Sequence, residues 1–478
     1  MLAELRFAFA AAKPRSAGSE SDRFAANEVS GSLIYQPGSH VKRLLALTLV
    51  VLAPRAARAQ HDMSKMEMSG PALPLGISWA RLGGGTSWIP DASPMFMATK
   101  SAGAWQLMLH GAAFGQYDHQ PTIHGDTQIG VIDWEMLMAA RLTMGGVLRL
   151  SAMTSAQPLI IGNRGYPELL QTGGSDNNIR YVNRQHPHQL IGELSAAYDR
   201  SLTSNLATEI YAAAIGEPAI GPPSYMHRPS AFDDPFAPIG HHWQDATHET
   251  HGVVTAGVYS RRVKVEGSIF NARESNGDYL NIGYDGARLD SYSGRLTLAP
   301  NANVTMSAWA GYLFAHDPVD GPIGMQRYGV SLETATQRAN GGWSSTGVVW
   351  GINVHHHGAR VHNHEPGDSA AATYNLSSAL LVETSFALTA RATVYGRIEE
   401  ADKSADDLGF LGGDLTELFT VRAVSLGGAY DVVRVGSAAF ALGARGTLNL
   451  LPESLRFVYS TTRPIGVAVY LRVRPRQH

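Results

Sequence analysis

The 478-residue sequence contains no cysteine. That excludes disulfide scaffolds, thiolate metal sites and thiol catalysis. Charge is scarce, at 17% of residues, and nearly balanced, with 38 Lys+Arg against 41 Asp+Glu. A basic nucleic-acid surface is therefore not expected. Past the first 59 residues there is no run of 18 apolar residues, so no transmembrane helix is expected either. Catalytic signatures are missing as well. No Ser sits in GxSxG, and neither a P-loop nor a helix-opening GxGxxG occurs. His248-Glu249-Thr250-His251 falls one residue short of the zincin spacing that sets two imidazoles a helical turn apart. What is plentiful is glycine, at 50 residues, and an ordinary 44% hydrophobic share that rules out wholesale disorder.

Residues 41–59, VKRLLALTLVVLAPRAARA, carry the three parts of a secretory signal in order. Lys42 and Arg43 are basic, Leu44 to Ala53 form the apolar core, and Ala57-Arg58-Ala59 is a small-x-small cleavage site. The expectation is a signal peptide over 41–59, preceded by a 1–40 extension from a misplaced start site, with Val41 standing where an initiator would. Without residues 1–59, which hold eight Lys/Arg and four Asp/Glu, the mature chain has 30 basic against 37 acidic residues.

From Trp105 onward the hydrophobic pattern has period two. In 464–474, Ile465, Val467, Val469, Leu471 and Val473 share one face, while Tyr470, Arg472 and Arg474 share the other. One apolar face and one face of Gly, hydroxyls and charges of both signs is the pattern of a strand between lipid and a polar lumen. Sixteen strands are read, near 105–118, 128–141, 146–155, 189–200, 205–215, 248–260, 263–273, 289–299, 304–316, 325–337, 343–354, 371–384, 389–400, 418–431, 437–450 and 464–474. Short turns alternate with long loops. The expected fold is all-β: a transmembrane antiparallel β-barrel of about 16 strands (range ~14–18) over 105–478, with both termini periplasmic and the long loops outside. Loops 156–188 and 216–247 are long enough to hide a hairpin, and 216–247 is the candidate for a loop that constricts the lumen. Residues 60–104 are expected to be a periplasmic extension, or a plug in the barrel mouth. His61, Met63, Met66 and Met68 there offer a weak thioether and imidazole set for copper.

Histidines concentrate in the long loops and the strand ends next to them. Neutral imidazole binds Zn and Cu well. His186 and His188 are i,i+2, on one face if extended, and His241, Asp245 and His248 are i,i+4,i+7, on one face if helical. These five residues with His242 make the expected metal set: His186, His188, His241, His242, Asp245 and His248, with Cu or Zn as the ion at an extracellular mouth. Arg295, Arg391, Arg397, Glu399, Arg445, Arg472 and Arg474 are expected to face the lumen and to set its selectivity, or else to pair and fill it.

The blocks Arg184-Gln185-His186-Pro187-His188, Gly216-Glu217-Pro218, Met226-His227-Arg228-Pro229-Ser230 and Gly240-His241-His242-Trp243-Gln244-Asp245 stand out, together with the Met-rich tail and the closing VYLRVRP. With them the chain resembles a family of uncharacterised Gram-negative outer-membrane proteins. The resemblance implies a barrel in the cell outer membrane and carries no activity with it. Some relatives have longer Met/His tails like those of copper-resistance proteins, and the stub here departs from that pattern. The expected function is a channel or transport protein for a small polar solute that captures a transition metal. A rim enzyme acting on lipid or ester, or a structural or adhesive barrel, are the alternatives. No catalytic residue is assigned. Expected partners are outer-membrane lipid and lipopolysaccharide, the barrel-assembly machinery and the solute or metal ion, with no nucleic acid.

Overall fold

The computed structural model describes residues 72–280, 288–319, 323–338, 341–357, 373–410 and 417–477. The signal segment, the 1–40 extension, His61, Met63, Met66, Met68, His362 and His364 lie outside the described residues. Among the described residues nineteen strands follow one another: β1 (Met97–Ala102), β2 (Trp105–His119), β3 (Thr127–Thr143), β4 (Gly146–Thr154), β5 (Tyr166–Asp176), β6 (Ile179–Gln185) and β7 (Ile191–Ser201). Next come β8 (Ala207–Gly216), β9 (Thr250–Tyr259), β10 (Val263–Asn271), β11 (Ser291–Asn301), β12 (Val304–Phe314) and β13 (Gly324–Gln337). The last are β14 (Trp343–His357), β15 (Thr373–Ala387), β16 (Ala392–Ser404), β17 (Leu418–Val435), β18 (Ala438–Leu450) and β19 (Ile465–Pro475).

Sixteen of them, β2–β4 and β7–β19, pair antiparallel into a closed ring in which β19 returns to β2. The fold is thus the expected barrel with the expected strand count. The loop between β4 and β7 does contain a hairpin, β5–β6, but it forms a separate two-stranded sheet and adds nothing to the wall. At the seam, β19 pairs with only half of β2, from Val473↔Ala113 to Val467↔His119. The short strand β1 takes the other half, from Met97↔His110 to Ala102↔Trp105. The polypeptide just before the barrel thereby covers an edge that β19 is too short to reach.

The wall alternates as the sequence pattern requires. On β19, Val469 is 54% exposed and Leu471 45%, whereas Arg472 between them and Val473 is 1% exposed. Exposed tyrosines occur toward both ends of this apolar belt. Tyr117, Tyr292 and Tyr328 lie toward the long loops and Tyr430 toward the short turns, as amphipathic rings do at membrane interfaces. Among the described residues no helix is long and apolar enough to cross a membrane. The strands do the crossing, since only a closed sheet satisfies every backbone polar group in lipid.

The lumen is filled from both ends. Residues 72–96 lie inside the short-turn end. Leu73, Ile77, Trp79 and Trp88 pack there against the inward faces of Met108, Ala140, Val147, Ala207, Tyr259 and Ala299. From the long-loop end, residues 217–249 fold inward, and nearly every residue of this segment is buried. The two fillers meet at Arg295, which donates to Thr86 Oγ1 (3.1 Å) and to Gly221 O (3.1 Å) while pairing with Glu266 (2.9 Å).

Candidate metal centre

The inserted segment 217–249 is held by the charged faces of the wall. Arg228, fully buried, pairs with Glu383 of β15 (2.6 Å) and with Asp245 of its own segment (2.5 Å). Asp233 meets Arg472 and, at 3.1 Å, Arg474. Asp234 meets Arg445 (3.1 Å) and Arg397 (3.4 Å). Glu399 accepts from the Ile239 amide (2.7 Å), and Lys403 donates to Ile239 O (2.7 Å) while sitting over the Trp243 ring. Six of the seven residues expected to line a lumen therefore face inward but carry the inserted segment or, for Arg295, both fillers. Arg391 is the correction: it lies exposed in the turn between β15 and β16. The strand expected from residue 389 starts three residues later, because β16 begins only at Ala392.

Held this way, the segment carries a one-turn helix, α1 (His241–Gln244), and a following 3-10 turn into the barrel. The i,i+4 relation forecast for His241 and Asp245 is present: His241 Nδ1 and Asp245 Oδ1 are 2.7 Å apart. His248 Nδ1 lies 3.0 Å from Asp245 O. His242 Nδ1 lies 3.2 Å from Glu274 Oε1, contributed by the loop after β10. In each ring the Nδ1 position faces an oxygen acceptor, so the proton belongs on Nδ1 and the lone pair on Nε2. Those three Nε2 atoms are buried and have no hydrogen-bond partner. His186, half-buried, directs Nδ1 to Pro187 O (3.0 Å), with its ring centroid 5.6 Å from that of His242. His241 and His242 rings are 5.1 Å apart, and His241 and His248 rings 5.2 Å.

Among the described residues three groups of ligand-type atoms converge, each with its members within 4.8 Å of one another: His186–His241–His242, His188–His248–Glu249 and His242–Glu274–His316. A tetrahedral ion at about 2.0–2.1 Å from each nitrogen needs donors roughly 3.3 Å apart. Small side-chain rotations therefore suffice. The β5–β6 hairpin closes the cluster from one side with bare backbone. Gly173 (φ +99°) would put a Cβ 2.3 Å from the His242 ring, and Gly174 (φ +70°) one 2.8 Å from His186. Burial lowers the pKa of His186 and, far more, of His188, and takes His242 and His248 down to about 3. These rings are neutral at physiological pH, the form in which imidazole is a ligand. Burial pushes Asp245 up, but the Arg228 guanidinium and His241 outweigh it and hold the carboxyl below its usual range. Asp245 is thus an ionised orienter of His241.

The chain matches no family model, and no curated protein matches it. Among solved structures it is similar to OmpT of Vibrio cholerae (7% identity, 79% of this chain and 99% of that chain, TM-score 0.44). It is also similar to Salmonella typhi OmpF (12%, 79% and 100%, TM-score 0.46) and to an anion-selective porin from Comamonas acidovorans (8%, 78% and 99%, TM-score 0.43). At such identities and scores the likeness says nothing about what this chain binds. The closed ring with its outward apolar belt decides the setting. This is an outer-membrane β-barrel.

Within the barrel, the forecast metal residues His186, His188, His241, His242, Asp245 and His248 lie in one neighbourhood, with Asp245 behind His241 rather than facing the ring nitrogens. The setting differs from an open mouth. His241 is 0% and His248 4% exposed, because the 217–249 segment carries them down into the lumen. His119 lies apart from the cluster, against Thr127. Glu274 and Tyr225 carry no signal in the sequence, and Glu249 drew attention only within the His248-Glu249-Thr250-His251 run, whose spacing does not match a zincin. Glu274 sits in a loop with no local pattern, and only its position across the lumen from α1 gives it a role.

Proposed function

We propose that this outer-membrane barrel is a transport protein, closed in this state, that captures a transition-metal ion, copper or zinc, at the imidazole cluster beneath its long loops. The observation that carries the reading is the set of buried, unpartnered Nε2 lone pairs on His241, His242 and His248, each fixed by an oxygen at Nδ1. Leaving such acceptors unsatisfied costs free energy that an ion would return. Orienting oxygens behind metal-binding imidazoles also raise ligand basicity. His186, His241 and His242 form the primary site, and an all-nitrogen set without thiolate suits Zn and Cu above harder ions. The wall charges serve the inserted segment, so passage of an ion or small polar solute requires that segment to move away from Arg397, Arg445, Arg472 and Arg474. Calorimetric titration of the full chain in detergent with ZnCl2 and CuCl2 tests the capture site. The double variant H241A/H242A is expected to lose at least 100-fold in affinity while keeping its heat-modifiable migration on gels. Unchanged affinity in that variant refutes the reading.

A further inference from the structure

The metal-ligating groups are more numerous than one ion needs. His186–His241–His242 and His188–His248–Glu249 share no residue, yet they adjoin, since the His241 and His248 rings are 5.2 Å apart. We propose that the barrel holds a second transition-metal ion at His188, His248 and Glu249, beside the first; this rests on the reading of the first site as a metal site.

The second set differs in chemistry. It offers two imidazoles and a carboxylate, a mixed nitrogen and oxygen set. His248 is the firmest member: its Nδ1 is committed to Asp245 O, and its buried Nε2 has no partner. Glu249 accepts the Gln189 amide through both oxygens (3.2 and 3.1 Å), and no basic side chain pairs with it among the described salt bridges. Tyr225 adds a hydroxyl 3.4 Å from His188 Nε2. His188 is the adaptable member. Its Nδ1 lies 2.9 Å from Gln157 Nε2, so ligation through Nε2 requires the Gln157 amide to turn its oxygen toward Nδ1. That rearrangement places the second ion below the first in affinity. The remaining group, His242–Glu274–His316, is a poorer choice. It competes for His242, and Arg327 Nη2 stands 3.3 Å from His316 Nε2, where a fixed cation repels another.

The test counts ions. The full chain in detergent is loaded with ZnCl2, passed through a desalting column, and measured for zinc per chain by elemental analysis. Two zinc ions per wild-type chain are expected, the second bound at least 10-fold more weakly. E249Q should fall to one, with the first affinity unchanged within about 3-fold, and E274Q should keep two. If E249Q fails to form the heat-modifiable barrel, H188A takes its place, with the same expectation. Cobalt gives a spectroscopic check: the second equivalent should show visible absorption bands distinct from the first and absent in E249Q. One zinc in the wild type, lost in H241A/H242A, overturns the second site and leaves the first standing. No zinc at all removes both. Two zinc ions in E249Q and one in E274Q would place the second ion at Glu274 and refute the assignment.

Discussion

The inserted segment is latched by two adjacent carboxylates, and cutting that latch should open the barrel. Asp233 and Asp234 together face four buried arginines, Arg472, Arg474, Arg445 and Arg397, from three different wall strands. Replacing both by Asn keeps the side-chain volume and removes the charge. Breaking one side of a buried ion pair costs about 3–5 kcal/mol. The two sites touch the same arginine row, so their effects do not add. Taking one such loss as the floor, the equilibrium between a released and a seated segment shifts by about 10²-fold to about 4 × 10³-fold, at about 1.4 kcal/mol per decade. The wall itself is untouched, because its strands are joined by ladder hydrogen bonds that D233N/D234N leaves in place. In planar bilayers the wild type should conduct little, and the double variant should show discrete openings. Four arginines freed of their carboxylates would line the open path, so the reversal potential in a salt gradient should report anion preference. A double variant as silent as the wild type, with the same melting temperature and the same heat-modifiable band, would refute the claim that these pairs hold the segment.

Further expectations follow from the same contacts. Gly173→Ala should weaken zinc binding at least 10-fold in calorimetry with the barrel still folded, because the added Cβ meets the His242 ring at 2.3 Å; unaltered binding would show that the hairpin does not bound the site. The low values of about 3 for His242 and His248 set a pH dependence. Because the folded pKa lies below the ordinary 6.5, the unfolded chain takes up more protons in between. Metal-free stability is therefore full above about pH 6.5 and declines as pH falls toward 3. A melting temperature that rises on acidification from pH 6.5 to 4 would contradict this. Metal binding, by contrast, should persist to about pH 5, where an exposed histidine cluster would already have released its ion; loss centred near pH 6.5 in the zinc titration counts against burial of the ligands. Val469→Arg places a charge on the apolar belt at a cost of about 2–4 kcal/mol near the bilayer midplane, and should lower the heat-modifiable fraction recovered from membranes. Equal recovery would mean that this face does not meet lipid.

The barrel was legible in the sequence because its determinants are local and repeated. A period-two pattern fixes which side chains face lipid on each strand, as on β19, with Val469 and Leu471 outward and Arg472 and Arg474 inward, and the alternation of short and long connections fixes the strand count. The contact of His241 with Asp245 was legible for the same reason, since it needs only the i,i+4 spacing, whereas His248 follows in a separate 3-10 turn after α1. Residue 391 was misplaced because alternation alone does not say where a strand starts.

What lay beyond the sequence depends on groups brought together across the lumen. Asp233 and Arg474 are 241 positions apart and meet only when a long loop turns inward instead of outward. Loop direction follows from the sum of many ion pairs and buried contacts, and no single stretch encodes it. The same inward fold turns histidines suited to a wet rim into buried ligands, and puts Glu274 and Gly173 against them. Local periodicity therefore determined the wall, while the packing of the interior decided whether that wall encloses water or a site.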